Sequence, residues 1–189
     1  MFVKFYLAVR SFIRHQILHI DDRSQLEIAV SNGLKMGEGC AVMDGCIIDP
    51  GHCWLIEIGD RVTLAPRVHI LAHDASTKRP LGYTALGRVK IGSDVFVGAG
   101  TIILPGVEIG GRVVIGAGSV VSKNIPANSV VVGNPAHVID SFDDYIRKRK
   151  NQMECAPCFD ESYTIGHITQ KKKEEMNRLL NGQQIGFVL

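Results

Sequence analysis

The chain has a single tryptophan and only seven prolines, and no stretch of it is both long and free of charge. Its apolar N-terminal stretch, residues 1–20, is cut by Lys4, Arg10 and Arg14. That interruption argues against a membrane span and against the uninterrupted core of a secretory signal. Charge of one sign is also missing: 21 Lys+Arg stand against 19 Asp+Glu, a formal net of +2. The basic runs at residues 147–150 and 171–173 lie beside acids and read as solvated helix surface, so no nucleic-acid face is expected. Five cysteines, an odd number, do not make a disulfide framework and point to a reducing, cytoplasmic setting. No Gly-x-Ser-x-Gly occurs, so nothing suggests a serine acyl-enzyme.

What is present excludes further classes. With 46% apolar residues the chain is too hydrophobic for a disordered protein. Its 20 glycines among 189 residues lack the every-third spacing of collagen and mark turns in something folded. The length suits one main domain with appendages. In residues 1–20, Phe2, Phe5, Tyr6, Val9, Phe12, Ile13, Ile17 and Ile20 fall on one side of a helix. That side is expected to pack on the protein itself or a partner subunit. A peripheral membrane contact aided by Arg10 and Arg14 is the alternative.

The centre of the chain is periodic. Ile91, Val97, Ile103, Ile109, Ile115 and Val121 fall six residues apart, and Gly92, Gly98, Gly110 and Gly116 directly follow four of them. Four residues after each stand Val95, Thr101, Val107, Val113, Ser119 and Ile125, all small or β-branched. Shorter runs precede them, through Ile58, Leu64 and Ile70, and through Met36, Val42 and Ile48. Six is neither the helical period nor strand alternation. One short strand plus one turn per unit fits, and strands that short must stack as a solenoid. Three units per coil place each inward residue over its equivalent eighteen positions away. Cys40 and Cys46 fall where Thr101 and Ser119 fall, and are expected to be small buried groups.

This repeat, over residues 34–139, resembles the hexapeptide-repeat acyltransferases. Within them it is most similar to the sugar O-acetyltransferases of surface-polysaccharide synthesis and the galactoside and maltose acetyltransferases. The resemblance implies an all-β solenoid, a left-handed parallel β-helix with triangular coils. The expected organisation is an N-terminal helical or extended segment (1–33), the β-helix domain (34–139) and a C-terminal helical extension (140–189).

The beat breaks between Ile70 and Ile91, 21 positions apart, and residues 72–87 form a polar loop. A long loop on a rigid scaffold needs a reason. In the family a loop here projects over the neighbouring subunit, and the histidine that opens it resembles the catalytic base. In this chain that residue is His73. Transfer from an activated thioester to a hydroxyl needs one base of near-neutral pKa, donors for the oxyanion and two substrates in register. The resemblance also puts Arg79 and Tyr83 against an acceptor sugar. His69, one before an inward Ile70, points out of the coil toward a cleft or plain surface, and Asp74 lies next to the base. Galactoside-type relatives place an acceptor-binding Asn upstream. Its counterpart here falls near Cys46 or Ile47, neither of which can act as an amide, leaving Asp44 and Asp49 as polar substitutes. Phe96 falls where relatives place a Trp near the cleft.

Acetyl-CoA is the co-substrate that the resemblance implies, and no metal is expected. Gly98, Ala99 and Gly100, with Ala117 and Gly118 a coil later, would allow an extended chain to approach the backbone. Lys123 would meet a phosphate, and Gly133 and Pro135 resemble the turn beside the nucleotide. Outward positions give apolar stripes (Phe96, Val114, Val132; Ile102, Val120) and a polar one (Lys90, Glu108, Pro126). The apolar stripes suggest that parts of the prism are covered, and the resemblance implies a closed homotrimer with sites between subunits.

After Pro135 the beat stops. Residues 140–150 and 171–180 read as short charged helices. Cys155 and Cys158 with His167 do not complete a zinc set. The sequence thus favours a CoA-dependent O-acetyltransferase acting on a sugar or saccharide precursor. N-acetylation of an amino sugar, or a non-catalytic β-helix scaffold, are the alternatives.

Overall fold

The computed structural model describes residues 24–183 and 185–189. The one-sided segment 1–20 lies outside the described residues. Two compact units divide between Ile139 and Asp140.

In the first unit the strands of the coils are two to four residues long and pair in parallel on three faces. One face carries Lys35–Met36, Ile56–Ile58, Val89–Ile91 and Glu108–Ile109. The second carries Ala41–Val42, Thr63–Leu64, Val95–Val97, Val113–Ile115 and Ser129–Val132. The third carries Ile47–Ile48, His69–Ile70, Ile102–Ile103 and Val120–Val121. The chain visits the faces in rotation, so each coil lays one strand on each. Ile91 pairs with Ile109, Val97 with Ile115 and Ile103 with Val121, eighteen residues apart in every case. These side chains, with Ile58, Leu64 and Ile70, are at most 3% exposed and fill the prism. Each such burial contributes roughly 1.5–3 kcal/mol.

Three coils depart from eighteen. Met36 pairs with Ile58, twenty-two on, because a short turn at Cys53–Leu55 is inserted. Ile58 pairs with Ile91, thirty-three on, because the loop intervenes. The last coil is shorter: Ile115 pairs with Val131, sixteen on, and Ile109 bridges Ile125. Ile125 therefore takes the inward leading place rather than the companion one. Val130, not Val132, pairs with Val114. Asn124, not Pro126, meets Glu108, its Oδ1 accepting from the Glu108 N–H at 2.9 Å. On this first face Lys35, Glu57, Lys90 and Glu108 alternate in sign along the stack, with contacts at 3.9 Å (Lys35–Glu57) and 3.7 Å (Lys90–Glu108).

Cys40 and Cys46 are only half-buried, whereas Thr101 and Ser119 are fully buried. They belong to the first described coil, which has a neighbour on one side. Their thiols donate across to the carbonyls of Gly59 and Ala65 at 3.1 and 3.2 Å. A helix at Gln25–Ser31 precedes this coil, opened by a reciprocal cap between Ser24 and Glu27. Its Ala29 joins the core.

The second unit holds helices Phe142–Cys155 and Gln170–Leu180, capped by the hydroxyls of Ser141 and Thr169. The first of them runs five residues beyond the expected end. A parallel strand pair, Cys158–Phe159 with Phe187–Val188, completes it. Cys155 and Cys158 are free and exposed. Among the described residues no helix is long and apolar enough to cross a membrane.

Candidate functional site

The inserted loop is an ordered excursion. His73–Asp74 pairs antiparallel with Ala85–Leu86, and the Gly87 N–H donates to the Ala72 carbonyl at 3.0 Å, which closes its base. Between them, a 3-10 turn at Ala75–Thr77 leads into one helical turn at Lys78–Leu81. Asp74 Oδ1 accepts from the Ser76 N–H at 2.8 Å and caps this turn. Gly82, at φ +75°, ends it in a left-handed conformation that favours glycine. Arg79 and Tyr83 are exposed at the tip, Tyr83 at 80%.

At the base of this loop His73 meets Asp49. Ile48 lies in register with Ile70, so the chain continues from Ile48 to Asp49 beside the point where the third face gives way to the loop. Asp49 is fully buried and its carboxylate is fully used. Oδ1 accepts from the N–H groups of Gly51 and His52, both at 3.0 Å. Oδ2 accepts from the Ala72 N–H at 2.8 Å and lies 2.5 Å from His73 Nδ1. Burial alone would raise the Asp49 pKa, but the hydrogen bonds from Ala72, His73 and Gly51 outweigh it and hold the carboxyl below its ordinary value. An ionised Asp49 can only accept a hydrogen bond, so the His73 ring carries Nδ1–H, donates it to Oδ2 and keeps its lone pair on Nε2. His73 is one-third exposed.

This arrangement corrects one expectation. Asp49, assigned to the acceptor, is buried beneath His73 and meets backbone and imidazole instead. The six-residue beat hid the pairing because the coil that carries Asp49 is twenty-two residues long. The one available signal was the acid three residues before a histidine in Asp49-Pro50-Gly51-His52.

Asp49, His52 and His73 together offer donor atoms within 4.8 Å of one another, the composition of a metal centre. The geometry suits a proton better. At 2.5 Å, His73 Nδ1 and Asp49 Oδ2 are at hydrogen-bond contact, closer than two ligands about 2.0–2.1 Å from one zinc ion arranged tetrahedrally.

The remaining site candidates fall into distinct places. His69 is half-buried on the third face and lines a cavity of about 350 Å³ with Arg67, Ala99, Gly100 and Ile102. An expected acceptor residue and two expected cofactor residues thus share one cavity. Gly98 is corrected. It is buried, and a Cβ there would lie 2.4 Å from the Ala117 nitrogen, so it serves close packing of coils. Gly100 and Gly118 differ from it. They sit on corners at φ +67° and +70°, exposed, with nothing within 4 Å of where a Cβ would be. Ala117 is exposed beside Gly118, and Lys123 is exposed on the same coil. Phe96 is 46% exposed on the second face, in register with Thr63 and Val114. Asp44 is exposed at a corner, its carbonyl accepting from the Arg67 N–H at 3.1 Å. Gly133, at φ +104°, and Pro135 form a turn beside the His137 ring, and the Asn134–Pro135 peptide is cis.

Comparison with known proteins places this scaffold. Residues 88–123 match the family model described as bacterial transferase hexapeptide (six repeats). Protein CapG of Staphylococcus aureus is 44% identical over 99 residues, covering 50% of this chain and 58% of that protein. A maltose O-acetyltransferase structure from Clostridium difficile 630 superposes with a TM-score of 0.52 at 46% identity, covering 56% of this chain and 57% of that one. A hexapeptide-repeat acetyltransferase from Vibrio cholerae, complexed with acetyl coenzyme A, gives a TM-score of 0.53 at 28% identity over 58% of this chain and 61% of that one. The chain spans about half the length of the curated relatives it matches. Through its coils, this chain is similar to the hexapeptide-repeat transferases.

Proposed function

We propose that the protein transfers an acetyl group from acetyl-CoA to a hydroxyl of a sugar or saccharide precursor. The observation that carries this reading is the buried Asp49 carboxylate against His73 Nδ1, which leaves Nε2 as a proton acceptor at the mouth of the loop. His73 takes the acceptor hydroxyl proton as that oxygen bonds to the thioester carbonyl carbon. When the C–S bond breaks, the same proton passes to the departing sulfur. Base assistance of this kind contributes about 10²–10⁴-fold. Asp49 does not touch substrate; it is the positioning residue that fixes the His73 tautomer. Asp74 shapes the loop, while Arg79 and Tyr83 are free at its tip to meet a saccharide.

The co-substrate fits the residues present. Gly100 and Gly118 leave open corners that a side chain would fill, and the cavity of Arg67, His69, Ala99, Gly100 and Ile102 lies along the same edge. An extended pantetheine-like chain suits that edge, with Lys123 and the Gly133–Pro135 turn toward the nucleotide. In this reading the coil has the left hand of its family. Three copies close around the exposed apolar positions Phe96 and Ile47, with sites between subunits, and the enzyme works in the cytoplasm.

The test is thiol release from acetyl-CoA against a panel of sugars and nucleotide-sugars, with wild type and His73→Ala compared. Release that requires both an acceptor and His73 supports the reading. Undiminished release by the folded His73→Ala variant overturns the mechanism.

A further inference from the structure

His52 has no part in the scheme above, yet the fold holds it firmly. Its N–H donates to Asp49 Oδ1, and its ring lies between those of Trp54 and His73, with centroids 5.2 and 5.1 Å away. The side chain is 27% exposed, and of its two nitrogens Nδ1 is sealed from solvent without a hydrogen-bond partner. That nitrogen faces Asp49 Oδ1 at 3.9 Å. A lone pair there would oppose a carboxylate across a dry gap, whereas an N–H is attracted to it. The neutral ring therefore carries Nδ1–H and offers its lone pair on Nε2. His73 has the same tautomer for the same reason. One buried carboxylate thus sets two neighbouring imidazoles, one on each oxygen, as a pair of Nε2 acceptors.

A single base cannot choose among the similar hydroxyls of a sugar; a second contact beside it can. We propose that His52 is a specificity-determining residue, its Nε2 accepting a hydrogen bond from the hydroxyl adjacent to the one delivered to His73, so that the acceptor is a vicinal diol. This rests on the transfer reading and names its substrate class. A site built to receive a hydroxyl discriminates against an analogue that lacks it, because the bound analogue covers the acceptor nitrogen and leaves it unpaired.

Two measurements test it. The first is the tautomer, read from ¹⁵N–¹H correlations of the imidazoles in the full chain near neutral pH. Nδ1–H on His52 is expected. Nε2–H overturns the proposal whether or not any acceptor is turned over. The second is kinetic, with acetyl-CoA and the methyl pyranosides of glucose, galactose and mannose, each beside its monodeoxy analogues. For an accepted pyranoside, loss of the adjacent hydroxyl should raise KM about tenfold in wild type and have no effect in His52→Phe, which keeps the ring but not its nitrogens. His52→Gln, which keeps an acceptor atom, should restore the discrimination, and kcat should change less than KM throughout. Full discrimination by His52→Phe overturns the proposal. The His73→Ala control separates this from failure of the transfer reading, since activity without His73 removes the base while leaving the His52 result to stand or fall separately.

Discussion

Asp49 Oδ2 lies 2.5 Å from His73 Nδ1, joining a fully buried carboxylate to a ring one-third open to solvent across 24 residues of sequence. Its two oxygens receive three backbone N–H groups and one imidazole. The carboxylate is therefore both a structural tie, between the early coils and the loop base, and the setting of the His73 tautomer.

Replacing His73 separates these roles. His73→Ala removes the proton acceptor but leaves the three backbone donors on Asp49. Transfer should fall by about 10²–10⁴-fold while the melting temperature stays within a few degrees of wild type. Asp49→Asn should lower transfer over a similar range by another route. Its NH2 group would confront the Ala72 or His73 N–H, pushing the His73 proton to Nε2. Unlike His73→Ala it should also lower the melting temperature, because a buried backbone donor loses its acceptor. Coupled assays and thermal melts on the two variants check both expectations.

Asp49 also sets an acid limit on stability. Its folded pKa is held below the ordinary 3.8. A depressed carboxyl contributes stability that is present above the unfolded value and lost as pH falls through the folded one. Urea midpoints should therefore drop below pH 3.8, and Asp49→Asn, already weaker at pH 7, should show a shallower fall. Parallel pH profiles for the two proteins would contradict the assignment.

The open corners predict a cofactor effect distinct from the acceptor effect. Gly118→Asn puts a side chain where nothing lies within 4 Å, at a φ of +70° that Asn tolerates better than other residues. KM for acetyl-CoA should rise about tenfold or more with kcat and the melting temperature little changed. An unchanged KM for acetyl-CoA would remove that corner from the co-substrate path.

How much of this was legible follows from which residues obey the beat. Ile91 through Val121 hold a strict six-residue spacing, and their eighteen-residue pairing was readable because each inward side chain must cover its neighbour. The break before Ile91 exposed the loop and its first histidine for the same reason. What escaped lies where insertion or deletion shifts the register. Asp49 and His52 lie on a twenty-two-residue coil, so counting by sixes does not bring them to Ala72 and His73. On the sixteen-residue last coil, Ile125 and Val130 stand two residues ahead of the places that counting by sixes reaches. Gly98 and Gly100 look alike in sequence, yet one packs against a backbone and the other faces open space, a difference set by the adjacent coil.

That difference gives a stability prediction. A Cβ at position 98 would stand 2.4 Å from the Ala117 nitrogen and 2.7 Å from the Ile115 carbonyl oxygen, both backbone atoms of the neighbouring coil. Neither can rotate away, and the Gly98 N–H already donates to that carbonyl at 2.8 Å. Relief requires the two coils to separate locally, which disturbs the pairing of Val97 with Ile115 and their packing in the prism. Gly98→Ala should cost about 1–3 kcal/mol or more, the range of overpacked cores, and lower the melting temperature by several degrees. Gly100→Ala faces no such neighbour and should lose only the smaller cost of its positive φ. A thermal melt of the two single variants beside wild type decides it. Equal losses would mean that the coil spacing at Gly98 is looser than the structure has it.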